Sequence, residues 1–250
     1  MDEIKNLLVN TEEIYTSFSD GVFMLKFKKN IFDFLTEFEH RDFISKFMKN
    51  VKSCSEISII LVINEPGSFD SSEFYKKITS STKKYDTISN INFREVNILN
   101  NYIKEIVKSP KLSIVGLQGN IITPFFGMSL AFDYRILSEI STFNINHRKF
   151  AEHPSGCLPF FLQQYLSRGV VSEILYEKDL ITAQEAFRFG LVNHIFPVEG
   201  FEEKCFDRAK ELTSIKASVV TKTKKIMNYQ FTDLENYIKC EADLLREQIH

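Results

Sequence analysis

The chain has 250 residues, with 31 Lys and Arg against 33 Asp and Glu, 44% hydrophobic residues and 24 Phe. That apolar content can bury a full core, as one large domain or two small ones, and it excludes extended disorder. A net charge of −2 with no long basic stripe excludes a sequence-independent grip on nucleic acid, which needs many cations facing phosphates.

Acids stand near the N-terminus where an export signal would carry bases, so no export is expected. The longest apolar runs, Ile57 to Ile63 and Ile121 to Phe132, fall short of the roughly 18 residues of a membrane helix, which excludes a membrane span. Cys54, Cys157, Cys205 and Cys240 share no zinc-ligand spacing with one another or with His, so no metal is expected and the setting is a reducing cytoplasm.

In chain order, Glu12–Phe18 and Val22–Phe27 predict a hairpin around Asp20-Gly21. A helix follows over Phe34–Val51, with Phe34, Leu35, Phe38, Ile44, Phe47, Met48 and Val51 on one stripe. Ile57–Ile63 reads as a buried strand closed by Pro66-Gly67, and Phe74, Tyr75 and Ile78 suggest a short helix. A polar stretch, Thr79–Asn90, leads into a long helix that carries Ile91 to Val107 and stops at Ser109-Pro110. Leu112–Val115 is the next strand, then a turn at Gly116 and Gly119, an apolar loop over Ile121–Gly127, and strand candidates at Phe132–Leu137 and Thr142–Ile145. Thr182-Ala183-Gln184-Glu185 has capping-box spacing, with Gly190 as the stop. Beyond the strand-like Leu191–Pro197 lie three helical stretches, about 199–213, 215–229 and 233–248, with no strand between them. Strands alternating with amphipathic helices give an α/β fold with a largely parallel sheet and a helical C-terminal extension.

Four local patterns carry a family resemblance. Pro110–Gly119 is similar to a strand that precedes a glycine-rich loop; Leu130-Ala131-Phe132-Asp133-Tyr134-Arg135-Ile136 is similar to an L-A-x-x-D-x-R-I segment. Thr182–Asn193 resembles an A-x-E-A-x-x-x-G-L-V-N helix–turn–strand, and Pro154–Leu162 a P-x-x-x-x-x-x-x-L loop. Together they resemble the crotonase superfamily, also called the enoyl-CoA hydratase/isomerase family. Ile60–Asp70 resembles that family's strand and F-x-x-G turn, without the usual glycine after Phe69.

The resemblance implies a ββα spiral core over 1–195 and a helical C-terminal trimerisation region over 196–250, assembled as homotrimers or hexamers. It implies an acyl-CoA or acyl-carrier-protein thioester as ligand, with coenzyme A entering as part of the substrate and no separate cofactor. Two backbone amides hold the thioester oxygen of an enolate in this family, a preorganised form of electrostatic stabilisation. Carried over by motif, these are the amides of Ser71 and Phe126. Phe125-Phe126-Gly127 stands where the family has consecutive glycines, and Pro124 is expected to stiffen the loop with the Phe126 amide inward.

The two glutamates with which the family's hydratases add water fall here on Ser129 and His147, so hydration by that mechanism is not expected. Isomerisation, C–C cleavage, decarboxylation or thioester hydrolysis remain, with His147 as proton carrier and Ser129 positioning substrate or water. The other reading of His147 is a surface histidine in a basic cluster with Arg148 and Lys149. Asp70 and Glu73 beside Ser71 are either pocket carboxylates or helix-capping residues, and His153 either covers the acyl pocket or shapes its loop before Pro154. Cys157 has no activating pattern and reads as a small buried residue. Lys26, Lys28 and Lys29 with Lys224 are candidate phosphate contacts or solvated lysines, and the Phe residues around Phe125 and Phe143 line an acyl pocket or the core. A different class also fits: a non-catalytic relative with the same fold that acts as a binding or assembly subunit, its pocket plugged by Phe125 or Phe126.

Overall fold

Asp20 and Gly21 both have positive φ, at 53° and 77°, and Ser19 lies opposite Val22, so the first hairpin closes on a two-residue turn. This is a computed structural model, and it describes residues 2–29, 43–69, 85–145, 147–150 and 153–247. In chain order the elements are α1 (Asp2–Lys5), β1 (Ile14–Ser19), β2 (Val22–Phe27), α2 (Phe43–Ser53), β3 (Ile59–Asn64) and α3 (Tyr85–Val107). Then come β4 (Leu112–Leu117), β5 (Asn120–Ile122), α4 (Thr123–Leu130), β6 (Tyr134–Ser138), β7 (Thr142–Asn144), a 3₁₀ turn (His147–Phe150), α5 (Leu158–Tyr165) and α6 (Arg168–Tyr176). The chain continues through β8 (Leu180–Thr182), α7 (Ala183–Arg188), β9 (His194–Phe196), α8 (Phe201–Leu212), α9 (Ala217–Met227), a second 3₁₀ turn (Asn228–Phe231) and α10 (Leu234–Glu247).

The main sheet has the order β1-β2-β3-β4-β6-β9, antiparallel only between β1 and β2. All six residues of β3 are buried, as expected for a strand covered on both faces. Met24, Leu61, Ile63 and Ile114 face α8 through Phe201, Cys205 and Ala209. The alternate residues Leu25, Ile60, Val62 and Val115 face the larger core, which takes in Phe47 and Val51 of α2 and Tyr102 and Ile106 of α3. A Cβ on Gly116 would lie 2.8 Å from the Cys205 sulfur, so only glycine lets α8 sit this close to β4. A smaller sheet, β5-β7-β8, stands beside the main one.

The α/β class, the hairpin, the strands at β3 and β4, the Thr182 capping box and the three C-terminal helices agree with the sequence reading. Three segments differ. Residues 85–90 belong to α3, because the low helix propensity of Ser, Thr and Asn is a weak preference that context overrides. Residues 121–127 are the end of β5 and the start of α4, not a loop. Pro124 sits in the first helical turn, where its missing N–H costs nothing, while the N-cap is Ile122 with no side-chain cap. The segment 158–176, read only as a loop through Leu162, forms α5 and α6. The helix residues 34–42 and the short helix around Phe74 lie outside the described residues.

Candidate active site

The strands β3 and β4 deliver their carboxyl ends side by side. Asn64 joins them: its Nδ2 donates to the Gln118 carbonyl (3.0 Å) and its Oδ1 accepts from the Gln118 amide (2.9 Å). The Ile122 amide donates to the Phe69 carbonyl at 3.3 Å, which brings the turn after β3 against the start of α4. Asp70, Ser71 and Glu73 follow directly, outside the described residues.

Every residue of α4 is buried. Phe125 stacks on Phe69 with ring centroids 4.2 Å apart, and Phe126 stacks on Phe143 at 3.9 Å. Because the helix starts at Thr123, the Phe126 N–H closes the first turn on the Ile122 carbonyl. The Phe126 amide, expected as a donor to the thioester oxygen, is therefore engaged inside the helix. Neither Phe nor Gly127 has positive φ, so the aromatic residues take their places in this helix at no backbone cost. Ser129 is fully buried, and its hydroxyl donates to the Phe126 carbonyl at 2.7 Å.

Gly127 is required by what it touches. A Cβ there would stand 2.1 Å from the Gly156 carbonyl oxygen, and one on Gly156 (φ +72°) would stand 2.2 Å from the Pro124 carbonyl oxygen. Helix and loop thus meet backbone to backbone. The same loop is held from its other side by Glu241 of α10, 2% exposed, whose Oε1 accepts from the Gly156 amide (2.8 Å) and Oε2 from the Cys157 amide (3.0 Å). Burial pushes the Glu241 carboxyl up to about 7, against the pull of these two amides. The sequence reading missed Glu241. Its signal was a carboxylate on the apolar stripe Leu234, Ile238 and Ala242. Cys157 is buried in the left-handed conformation, and burial holds its thiol well above the ordinary range, so it is no nucleophile.

His147 opens the 3₁₀ turn after β7 and is only 7% exposed. Its ring bonds to the Leu175 backbone at the end of α6, and its Nδ1 is buried with no hydrogen-bond partner among the described residues. Burial first, then Arg148, holds the imidazole below its usual value, so it is neutral at pH 7 and able to accept a proton. Arg148 turns away to the Tyr176 carbonyl, the Lys178 carbonyl (2.8 Å) and Asp179 (3.1 Å). His147 is thus not part of a solvated basic cluster. The charge of His153 opposes protonation of His147 weakly, after burial and Arg148.

The lysines are engaged within the chain. Lys26 pairs with Glu65 (3.0 Å) and Glu202 (2.9 Å), Lys28 donates to Asn10 (2.8 Å) and the Thr11 carbonyl (2.6 Å), and Lys29 pairs with Glu12 at 2.5 Å. Lys224, the only buried residue of α9, pairs with Asp133 at 2.6 Å and donates to the Lys111 carbonyl at 3.1 Å. No cluster of three or more His, Cys, Asp or Glu able to hold a metal occurs among the described residues.

A family model described as enoyl-CoA hydratase/isomerase matches residues 56–250. The chain is 22% identical over 231 residues to the mouse peroxisomal enoyl-CoA delta isomerase 3, covering 90% of this chain and 68% of that protein. It is 27% identical over 170 residues to human testis-specific chromodomain protein Y 2, covering 68% of this chain and 29% of that protein. In three dimensions it resembles an enoyl-CoA hydratase from Bacillus halodurans with a TM-score of 0.79, 18% identity and 95% of both chains covered. It also resembles HypX from Aquifex aeolicus, TM-score 0.77 and 16% identity, over 96% of this chain and 43% of that one.

Proposed function

The chain belongs to the enoyl-CoA hydratase/isomerase family, and on that premise we propose that it binds an acyl thioester, of coenzyme A or a carrier protein, and moves a proton through its enolate. The observation that carries the reading is His147: buried, neutral at pH 7 and with Nδ1 unpaired among the described residues. Such a nitrogen takes a proton from the carbon next to the thioester and returns it elsewhere. In this reading the amino end of α4, whose dipole favours negative charge, holds the developing oxyanion, and the Ser71 amide is the second donor that the family motif implies. No carboxylate pair is available at Ser129 and His147 to add water, which favours isomerisation, C–C cleavage, decarboxylation or thioester hydrolysis over hydration. Asp70, Phe125, Gly127 and His153 are the substrate-binding residues in this reading, and the coenzyme arrives with the substrate. The phosphates would have to draw Lys28 or Lys29 from its present partner. Lys224 has a structural role instead, since its ammonium is buried on Asp133.

We place this protein in the cytoplasm as a trimer or hexamer, with the helices after residue 196 forming the contact. Val219, Ile226, Met227 and Tyr229 stand exposed there. Among the described residues no helix is long and apolar enough to cross a membrane.

The test is deuterium uptake from D₂O into the carbon next to the thioester of acetyl-, butyryl- and crotonyl-CoA, read by mass spectrometry. Uptake is expected with at least one, and a fall of at least a hundredfold in His147→Ala. Unchanged uptake in that variant removes His147 from the chemistry. A second reading, a non-catalytic binding subunit, is favoured by the Phe125 and Phe126 rings and by the Ser129 hydroxyl, all committed to internal partners. Thioester binding without any uptake would select it.

A further inference from the structure

A cavity of about 390 Å³ opens at the other end of β4, between the carboxyl end of α3 and the C-terminal helices. It abuts Ser109 and Pro110, before β4, whereas the candidate active site follows Leu117. Six residues at about 3.3 Å each separate the two by roughly 20 Å. The volume falls within the range of small-molecule sites, about 300–1,000 Å³.

Its walls are apolar, with Val107, Phe231 and Leu234, and its rim is basic. The polar groups that tie the walls together are already satisfied: Asn228 donates to the Val107 carbonyl at 2.8 Å, and Thr221 to the Pro110 carbonyl at 3.2 Å. Two of the four lining lysines are neutralised as well, Lys224 by Asp133 and Lys108 by Glu235. Lys104 and Lys225 have no ion pair among the described residues. What the cavity lacks is therefore an apolar body with one negative end.

We propose that this cavity binds a small amphipathic organic anion, its alkyl or aryl part against Val107, Phe231 and Leu234 and its carboxylate or phosphate between Lys104 and Lys225. Among the described residues Lys225 has no partner to leave, Lys104 is held by no ion pair although its charge is felt by Glu235 at the rim, and burial of the apolar part supplies the rest of the affinity. This site does not need His147; its walls on α9 and α10 adjoin Ile226, Met227 and Tyr229, proposed above as the contact between copies, so the titration uses the chain in the oligomeric state it adopts in solution.

The test is isothermal titration of the full chain with octanoate, octyl phosphate and uncharged 1-octanol, on the natural sequence and on the double variant Lys104→Gln/Lys225→Gln. Both lysines lie at the rim, so the variant is expected to fold, which an unchanged thermal midpoint verifies. Saturable binding of at least one anion, at least tenfold tighter than 1-octanol and weakened at least tenfold in the double variant, is the expected result. The ratio of octanoate to octyl phosphate affinity names the head group. No saturable binding of either anion, equal affinity for 1-octanol, or undiminished binding to the folded double variant would each overturn the proposal. The last of these would put the anion in another pocket. If the double variant does not fold, a tenfold loss of anion affinity between 20 and 200 mM NaCl, with 1-octanol unchanged, is the expected substitute, and an anion affinity indifferent to salt overturns it.

Discussion

Replacing Glu241 by Gln should flatten the pH dependence of stability. The carboxyl is held at about 7 in the folded chain against an ordinary value of 4.5, because burial costs the charged form more than the Gly156 and Cys157 amides return. A folded pKa above the unfolded one means that the group's stabilising contribution is complete below pH 4.5 and is lost as pH rises through 7. Rising from 4.5 to about 7 corresponds to about 3.5 kcal/mol in all, at about 1.4 kcal/mol for each tenfold change in proton affinity. The neighbouring Cys157 thiol and Tyr237 hydroxyl are both pushed upward and do not titrate in this window. Gln cannot ionise, and it offers one oxygen to two amides, a fixed cost of about 1–3 kcal/mol that does not vary with pH. Urea unfolding of both proteins at pH 5 and pH 8 gives the double difference directly. The natural chain should lose about 2.5 kcal/mol more than the variant between these two values, because part of the contribution is already gone at pH 5. A difference between the proteins that stays constant within about 0.5 kcal/mol would refute the assignment, because it would mean that Glu241 is ionised in the fold at both values.

Lys224→Met should cost about 1–3 kcal/mol, since the Asp133 carboxylate loses its cation beneath α9 but keeps the Ser113 amide and hydroxyl. Adding Asp133→Leu should recover much of that loss, and chemical denaturation of the pair of variants reads both effects. Gly127→Ala drives a methyl into the Gly156 carbonyl and should cost more than about 3 kcal/mol by the same assay. A loss below about 1 kcal/mol would show that the loop yields. Thr182→Ala removes one half of the capping box of α7, in which the Glu185 amide donates to the Thr182 hydroxyl at 3.2 Å. It should lower stability by about 1 kcal/mol, visible as a drop in the thermal midpoint.

What the sequence made legible is local. Asp20-Gly21 announces positive φ over two residues, and Thr182 with Glu185 announces a helix start, because each signal lies within four residues of its effect. The buried strand Ile57–Ile63 is legible because covered strands read as unbroken apolar runs. The start of α4 was not, since Ile122 gives no polar cap and Pro124 reads as a breaker unless its place in the turn is known. At the site, the types of residue at Ser129 and His147 could be read, but not that the serine is turned onto the Phe126 carbonyl or that Arg148 leaves the histidine for the end of α6. Glu241 and Lys224 act across 85 and 91 residues, on the Gly156 amide and on Asp133, and no periodicity encodes such a partner.

The Glu241 contact also sets an order in time. The loop that packs on α4 is held by a side chain made 85 residues after Gly156. At synthesis rates of about 5–20 residues per second, that is a delay of roughly 4–17 s. During that interval the strands of the sheet already exist as sequence, but the two loop amides have no carboxylate to receive them. Anchoring of this loop therefore waits for α10, and a chain released before residue 241 carries Gly156 and Cys157 without the contact that fixes their loop.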